Sequence, residues 1–339
     1  MTDSLFIAGD WGTTNLRLYL CQHKPSQPLT ILATQMGPGV AQVEDNFEPI
    51  FFNLADGWFE KHGSMPVILS GMVGSNIGWQ AAPYIECPAS AEQIVSGRTV
   101  FNARGIEFSI ISGLKTLNPL GTPDLMRGEE LQLLGWMRVA DLKRQTVQLV
   151  VLPGTHNKWA LVQDGKIETF VTALTGELYS LLQNHSVLIA NPDSAEFSED
   201  VFLQGVKVAT TLESGQLLQA LFATRSRQVL GELSESHASS YLSGLLIGSD
   251  VVGSLTLMKK LMEKQIDGIA SVDLIGDSAL SRCYQLALES VGIKAELRDA
   301  TQIAISGYQA VYEALQSSVQ SSVQSSVQPS VQPSLHNSL

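Results

Sequence analysis

The sequence predicts an α/β fold built from two related halves, and three observations carry that expectation. At 339 residues the chain exceeds the size at which a single hydrophobic core usually stops growing. One design, an apolar strand running into a Gly-Thr turn and then a second strand, occurs twice, at Ile7–Leu20 and again from Thr146 to Val162. Between and after these hairpins, apolar strands alternate with segments of helical spacing. Apolar residues make up 44 % of the chain, ample for packed cores. The formal charge of −12 argues against a nucleic-acid or anionic-membrane surface, so an anionic ligand must be met by local donors and a metal. The three cysteines (Cys21, Cys87, Cys283) are far apart and form no CxxC pair, which fits reduced thiols and no zinc site. The start lacks a basic region followed by an apolar one, and no uninterrupted apolar run reaches about 18 residues. A soluble, cytoplasmic protein is expected, and a homo-oligomer is compatible with this composition.

The first half opens with the apolar strand Leu5–Ala8, the turn Gly9-Asp10-Trp11-Gly12-Thr13-Thr14, and a strand in which Leu16, Leu18 and Leu20 alternate with Arg17 and Tyr19. Gly12 lets the backbone approach a ligand closely, while the hydroxyls of Thr13 and Thr14 and the N–H groups of the turn are donors suited to phosphate oxygens. Asp10 stands beside those donors and is the residue type that holds a hydrated Mg²⁺ against phosphates. The competing reading is an ordinary Gly/Asp turn. A third strand over Leu29–Gln35 ends at the breaker Gly37-Pro38-Gly39, and Phe51, Leu54, Ala55, Trp58 and Phe59 predict a helix over Phe47–Lys61. Pro66–Ser70 reads as a short strand buried in mid-sheet. The order β-β-β-α-β is not a Rossmann start. Ser70-Gly71-Met72-Val73-Gly74-Ser75-Asn76-Ile77-Gly78-Trp79 is a glycine-rich loop at a strand end, followed by Ala82-Pro83-Tyr84; its small and polar groups suit a polyhydroxylated ligand, or form a plain turn. A strand over Gly105–Ser112 closes this unit near Gly113.

In the second half, Pro123 and Asp124 read as a helix entry, which puts Arg127, Glu129 and Glu130 in the first turns. A carboxylate there is favoured by the helix dipole, so Glu129 and Glu130 are also readable as surface acids. Thr146–Leu152 leads into Pro153-Gly154-Thr155-His156-Asn157-Lys158-Trp159, a second Gly-Thr turn in which His156 and Lys158 are either phosphate contacts or hairpin-tip polar residues. GxxxxGK[ST] is absent, so Lys158 is not a Walker lysine. A strand over Lys166–Phe170 precedes a helix over Glu177–Gln183, set off by a Thr175-Gly176 break. Asp200–Leu255 is largely helical, with Leu217, Leu218, Leu221 and Phe222 as core. The strand Ser271–Ile275 runs into Gly276-Asp277-Ser278 and a helix, a turn with space for a flat base, or simply a turn capped by Asp277 or Ser278. A strand over Ala295–Leu297 and a helix over Thr301–Leu315 complete the fold, and from Gln316 the SSVQ repeat predicts a disordered tail. The divisions expected are therefore residues 1–113, 114–315 and a tail, 316–339.

The motifs DWGTTNLR, SGMVGSNIGW, APY, MRGEE, LPGTHNKW and SGLLIG, in this order over about residues 5–310, resemble those of the 2-dehydro-3-deoxygalactonokinases, sugar-acid kinases of the actin, Hsp70 and sugar-kinase superfamily. The resemblance implies two ribonuclease-H-like, actin-like ATPase lobes with ATP and Mg²⁺ in the cleft between them. It implies phosphorylation of the terminal hydroxyl of 2-dehydro-3-deoxy-D-galactonate. Under it, Asp10–Thr14 matches the first phosphate motif, Gly154-Thr155 the second, Gly276–Ser278 the adenosine motif, and Ser70–Trp79 the sugar loop, with Tyr84 and Arg127 joining the sugar side. Related carbohydrate kinases carry their catalytic base as aspartate in a Gly-Asp-Gln segment; Gly128-Glu129-Glu130 stands there, so Glu129 falls on the base, with Glu130 and Asp124 as alternatives. The superfamily's sugar-responsive repressors place a DNA-binding module before the first phosphate loop, and the stretch Met1–Gly9 is too short for one. An enzyme is expected, with ATP and a small sugar acid as its partners and no nucleic acid or membrane.

Overall fold

The computed structural model describes residues 4–140, 147–213, 215–262 and 271–326. Thr146, the expected first residue of the second hairpin, lies outside them, as do residues 327–339.

Strands β1 (Ser4–Trp11) and β2 (Asn15–His23) form the opening antiparallel hairpin, with Asp10 facing Arg17 in register. β3 (Thr30–Pro38) adds to the outer edge of β2, and α1 (Phe47–His62) covers the sheet by burying Phe51, Phe52 and Ala55. β4 (Val67–Ser70) runs parallel to β1 and is buried throughout, as a strand inside a sheet must be. β5 (Tyr84–Glu86), β6 (Ala89–Ser90) and the short α2 (Ala91–Ser96) follow; a capping box between Ser90 and Gln93 starts α2. β7 (Thr99–Ala103) and β8 (Ile106–Ile110) complete a sheet ordered β3-β2-β1-β4-β8-β7. β9 (Gly113–Leu117) and β10 (Pro123–Met126) pair with β5 in a small separate sheet, and α3 (Glu129–Val139) follows.

The second half repeats the plan. β11 (Val147–Leu152), β12 (Asn157–Gln163) and β13 (Lys166–Ala173) are antiparallel, and after α4 (Thr175–His185), α5 (Glu199–Thr211), α6 (Leu217–Val229) and α7 (Ala238–Met262) the chain enters β14 (Ser271–Gly276). α8 (Ser278–Ser290), β15 (Lys294–Asp299) and α9 (Ala300–Ser326) end it. The sheet order is β15-β14-β11-β12-β13-β6, with β11, β14 and β15 mutually parallel. Reading β13-β12-β11-β14-β15 beside β3-β2-β1-β4-β8 shows the same strand order and the same switch from antiparallel to parallel pairing. The two halves expected from the paired hairpins are thus present as two sheets of one topology.

Helices α3 and α9 lie between the sheets. Their Leu131, Leu134, Trp136, Ile303, Tyr308 and Val311 share one core with Phe6 and Ala8 of the first sheet and Val150 and Leu152 of the second. The outer face of the first sheet packs on α1, and that of the second on α5, α7 and α8. The chain crosses between halves more than once: β6 joins the second sheet, and Tyr312 of α9 stacks on Phe6 of β1 at 4.3 Å. α7 lies in the one described helical stretch apolar and long enough to cross a bilayer, but most of that apolar window is buried inside the protein, α7 itself packing in the cores beside the second sheet.

Four expectations differ from the structure. Pro123 and Asp124 do not open a helix: they lie in β10, paired with β9, because the Asp124 carboxylate accepts from Thr172 N at 2.8 Å and Thr172 Oγ1 at 2.6 Å. That tertiary partner outweighs the local signal. α4 begins at Thr175 and runs through Gly176, so the expected break is its first turn. Leu218 and Phe222 are 77 % and 59 % exposed, because only one side of α6 meets α7. Finally, α9 continues through Gln316 to Ser326 instead of ending at Leu315. Extending a helix already nucleated and packed costs only the modest propensity deficits of Ser and Val, with no new nucleation.

Candidate active site

The opening hairpin owes its shape to a segment that sequence reasoning treated only as a breaker. Gly39 N, Val40 N and Ala41 N donate to the carbonyls of Thr14, Gly12 and Thr13, so the Gly12-Thr13-Thr14 turn is laced to residues 39–41. A Cβ on Gly39 would lie 2.2 Å from Thr14 C, so only glycine permits this approach. With its carbonyls turned inward, the turn presents the Thr13 and Thr14 side chains to solvent. Asp10, at the end of β1, lies beside Ser70 in the parallel register with β4. Burial pushes the Asp10 carboxyl up from its ordinary value, and Arg17 across the hairpin opposes that. A Cβ on Gly71 would sit 3.3 Å from Asp10 Oδ1, so the glycine keeps the space before the carboxylate open. Among the described residues no three His, Cys, Asp or Glu side chains converge. A single carboxylate with open space before it suits Mg²⁺, which keeps several waters and takes phosphate oxygens as further ligands.

Across the molecule, Pro153 is buried while Thr155 and His156 are exposed at the tip between β11 and β12. A cleft of about 770 Å³ opens there, lined by Gly154, Thr155, Gly276, Ser278, Glu129 and Arg17 among others. The second Gly-Thr turn, the Gly-Asp-Ser turn and Glu129 therefore line one cleft. Of the first hairpin only Arg17 joins that lining; Gly12, Thr13 and Thr14 stand outside it. Asp277 caps α8, accepting from Ala279 N at 3.0 Å and Leu280 N at 3.2 Å. Beyond Gly154 and Asp277 a second cavity of about 410 Å³ continues between α4, α7 and α8, with Tyr179, Phe197, Leu246, Leu280 and Tyr284 in its walls. His156 pairs with Glu177 of α4.

Glu129 and Glu130 open α3 after Gly128, which turns the chain at φ 110°. Both are far from the surface-acid reading. Glu129 Oε2 accepts from Arg127 N at 3.2 Å while the side chain still reaches the cleft. Its carboxyl is pushed up by burial, with Lys158 and backbone N–H groups opposing. Glu130 is 0 % exposed, and its Oε2 accepts from Gly128 N at 2.6 Å while Oε1 has no partner. Burial first, and then the neighbouring Glu129 charge, push it up to about 8. Of the three candidate bases, Asp124 is committed to Thr172 and Glu130 is sealed; Glu129 alone lines the cleft.

Several residues expected at the ligand make hydrogen bonds or packing contacts within the protein. Lys158 is 5 % exposed and donates to Leu125 O at 3.0 Å and Thr172 Oγ1 at 2.8 Å, while its charge also acts on Glu129. Arg127 is turned into the protein: its guanidinium sits 4.2 Å from the Tyr84 ring centre, and it donates to Tyr84 Oη at 3.2 Å and Ala82 O at 2.7 Å. That clamp joins the α3 entry to the sugar loop and occupies Tyr84. Trp79 packs among Trp11, Phe101 and Phe108, and Met72 against the same core, because the loop turns back as a 3₁₀ helix instead of standing out. Gly74 is buried beside Arg127, and Ser75 is buried with its Oγ accepting from Ile77 N at 3.3 Å. Ser70 shares a 2.8 Å hydrogen bond with Tyr308 of α9. From this loop, Gly71 reaches the site, beside Asp10 and within 3.5 Å of where a Cβ on Gly128 would lie.

Comparison with known proteins places the chain in a family. The 2-keto-3-deoxy-galactonokinase family profile matches residues 10–311. The 2-dehydro-3-deoxygalactonokinase of Escherichia coli (strain K12) is 34 % identical over 288 residues, covering 85 % of this chain and 90 % of the relative. A second relative, named a 2-dehydro-3-deoxygalactonokinase of Rhizobium meliloti (strain 1021), is 31 % identical over 324 residues, 91 % of this chain and 97 % of its own. The crystal structure of a protein assigned that activity in Sinorhizobium meliloti superposes with a TM-score of 0.79 at 30 % identity, over 91 % of this chain and 99 % of the other. Matched by that family's profile over residues 10–311 and by relatives above 30 % identity over most of their length, the chain belongs to the 2-keto-3-deoxy-galactonokinase family.

Proposed function

We propose that the protein is an ATP-dependent kinase that phosphorylates the terminal 6-hydroxyl of 2-dehydro-3-deoxy-D-galactonate in galactonate breakdown. The observation that carries this reading is the cleft itself, whose lining brings Glu129 together with Gly154, Thr155, Gly276 and Ser278. Phosphoryl transfer asks mainly for positioning and charge neutralisation; the two turns would position the nucleotide, and a Mg²⁺ held by Asp10 would neutralise the phosphate charge. The triphosphate lies against Gly154-Thr155, with the adenosine across Gly276–Ser278 and its base in the apolar cavity beyond. Asp10 holds Mg²⁺, which when bound neutralises phosphate charge. The acceptor hydroxyl lies between Gly71 and Glu129, and Glu129 takes its proton late in the transfer. Closure of the two lobes, divided near Gly113, brings Gly12–Thr14 onto the same phosphates and excludes water. Three free cysteines fit a reducing, cytoplasmic setting.

An ADP-release assay across a panel of sugar acids, with NMR of the product to locate the phosphate, tests this. The expected result is the highest kcat/KM with 2-dehydro-3-deoxy-D-galactonate and phosphate on O6. A clear preference for a different acceptor defeats the substrate assignment, and no ADP release with any sugar acid defeats the kinase reading.

A further inference from the structure

Asp250, in the middle of α7, is 9 % exposed and takes no part in the chemistry above, yet five side chains donate to it. Oδ1 accepts from Trp159 Nε1 at 3.0 Å and Ser254 Oγ at 2.9 Å. Oδ2 accepts from Asn157 Nδ2 at 2.9 Å, Thr175 Oγ1 at 2.8 Å and Tyr284 Oη at 2.6 Å. A carboxylate accepts all five bonds, whereas an amide in its place has one accepting oxygen and turns its N–H groups toward the partners on the other side, which must then reorient.

The donors are distributed in a telling way. Asn157 lies two residues after Thr155, at the root of the second Gly-Thr turn, and its Oδ1 is buried and unpartnered, so Asp250 alone orients its amide. Thr175 begins α4, and the next residue, Gly176, lies so close to that turn that a Cβ would meet Gly154 O at 2.4 Å. Glu177 N then donates to Thr155 O at 3.0 Å. Tyr284, on α8, forms a wall of the apolar cavity. One carboxylate therefore ties together the turn, the helix start packed on it and the cavity wall. Ser254, by contrast, lies on α7 itself, one helical turn away, and ties Asp250 to no other element.

We propose that Asp250 is a positioning residue for the nucleotide, holding the Gly154-Thr155 turn in register with the base cavity on α8. It touches neither cavity and acts through Asn157, Thr175 and Tyr284. The proposal rests on the nucleotide reading of the cleft.

The test uses the full-length protein with Asp250→Asn, Asn157→Ala and Ser254→Ala, measuring calorimetric affinity for Mg-ADP, KM for the sugar acid and thermal midpoint. Asp250→Asn and Asn157→Ala are expected to weaken Mg-ADP binding by about tenfold, with KM for the sugar acid within about twofold, because one charged or buried hydrogen-bond link is lost on the nucleotide side only. Ser254→Ala is expected to lower the midpoint and keep Mg-ADP affinity within about twofold, since it breaks a bond inside one helix. Mg-ADP affinities within about twofold of wild type for both Asp250→Asn and Asn157→Ala overturn the proposal and leave a purely structural cluster. Should Asp250→Asn not fold, Asn157→Ala decides alone. A wild type that binds no Mg-ADP overturns the nucleotide reading itself, an outcome distinct from unaffected variants.

Discussion

Replacing Glu129 by Gln should change catalysis while leaving stability almost untouched. The bond that Glu129 Oε2 accepts from Arg127 N is kept, because the Gln amide oxygen accepts it equally well. Losing a negative charge in the first turn of α3 costs about 0.3–1 kcal/mol in helix-dipole stabilisation, and removing the desolvation of a carboxylate offsets this. The melting temperature should therefore hardly move. Proton acceptance is lost outright, and the chemical step should slow by roughly 10²- to 10⁴-fold, or about 3–5 kcal/mol in barrier. A second signature follows from the raised carboxyl. A base works only when ionised, so wild-type kcat should fall as pH drops through that raised value, and this acidic limb should vanish in Glu129→Gln. Single-turnover phosphoryl transfer from pH 5 to 9, with ATP and sugar-acid affinities measured in parallel, checks both. A rate within about threefold of wild type refutes the assignment. If Glu130→Gln or Asp124→Asn collapses instead, that residue is the base.

Glu130→Gln should act on stability. Burial and the Glu129 charge raise the Glu130 carboxyl from 4.5 to about 8, so the folded state holds a proton that the unfolded state releases. Wild-type stability is therefore greatest below the unfolded value and falls as pH rises through about 8, by up to about 5 kcal/mol, from roughly 1.4 kcal/mol per pH unit. Gln carries no such penalty, so the variant should gain over wild type more at pH 9 than at pH 5; equal denaturation midpoint differences at both values contradict this. Gly39→Ala, whose Cβ would lie 2.2 Å from Thr14 C, should displace the first Gly-Thr turn at a cost of about 1–3 kcal/mol and raise KM for ATP, read from melting and ATP titration. Asp10→Asn should keep the melting temperature and remove most Mg²⁺-dependent turnover, since the metal loses its charged anchor; near-wild-type kcat would sink the metal role. Deleting residues 318–339 should leave activity unchanged and shift the midpoint by less than about 3 °C, because Ser and Gln make up most of the removed stretch and offer little apolar surface to bury; a larger drop would show that the extension docks.

Much of the fold was legible in the residues because its signals are local. Strict alternation in Leu16, Leu18 and Leu20, the fully apolar Val67–Leu69 and the stripe over Phe51 and Ala55 need no distant partner to be read, and each element lies where its pattern puts it. The repeated Gly-Thr turn announced two halves, and the matched strand orders bear that out. Small elements escaped: β5, β6 and β9 span two to five residues, too short for periodicity to register, and they exist because other strands pair with them.

The site was half legible. Residue chemistry pointed to Asp10 and both Gly-Thr turns, because glycine, hydroxyl and carboxylate types advertise their use, while Glu129 entered as a base only through the family resemblance. It could not tell which polar side chains face a ligand and which face their own protein. Lys158 and Arg127 look like ligand cations in sequence, but the structure gives one to Leu125 and Thr172 and the other to Tyr84 and Ala82. Nothing near Asp250 in the chain distinguishes it from an ordinary helix acid, since its five donors come from 157, 159, 175, 254 and 284. Direction and partnership across long sequence separations are set by how sheets and helices pack, so backbone pattern and residue type belong to the sequence, while the choice between the two neighbouring glutamates, one lining the cleft and one sealed, belongs to the tertiary structure.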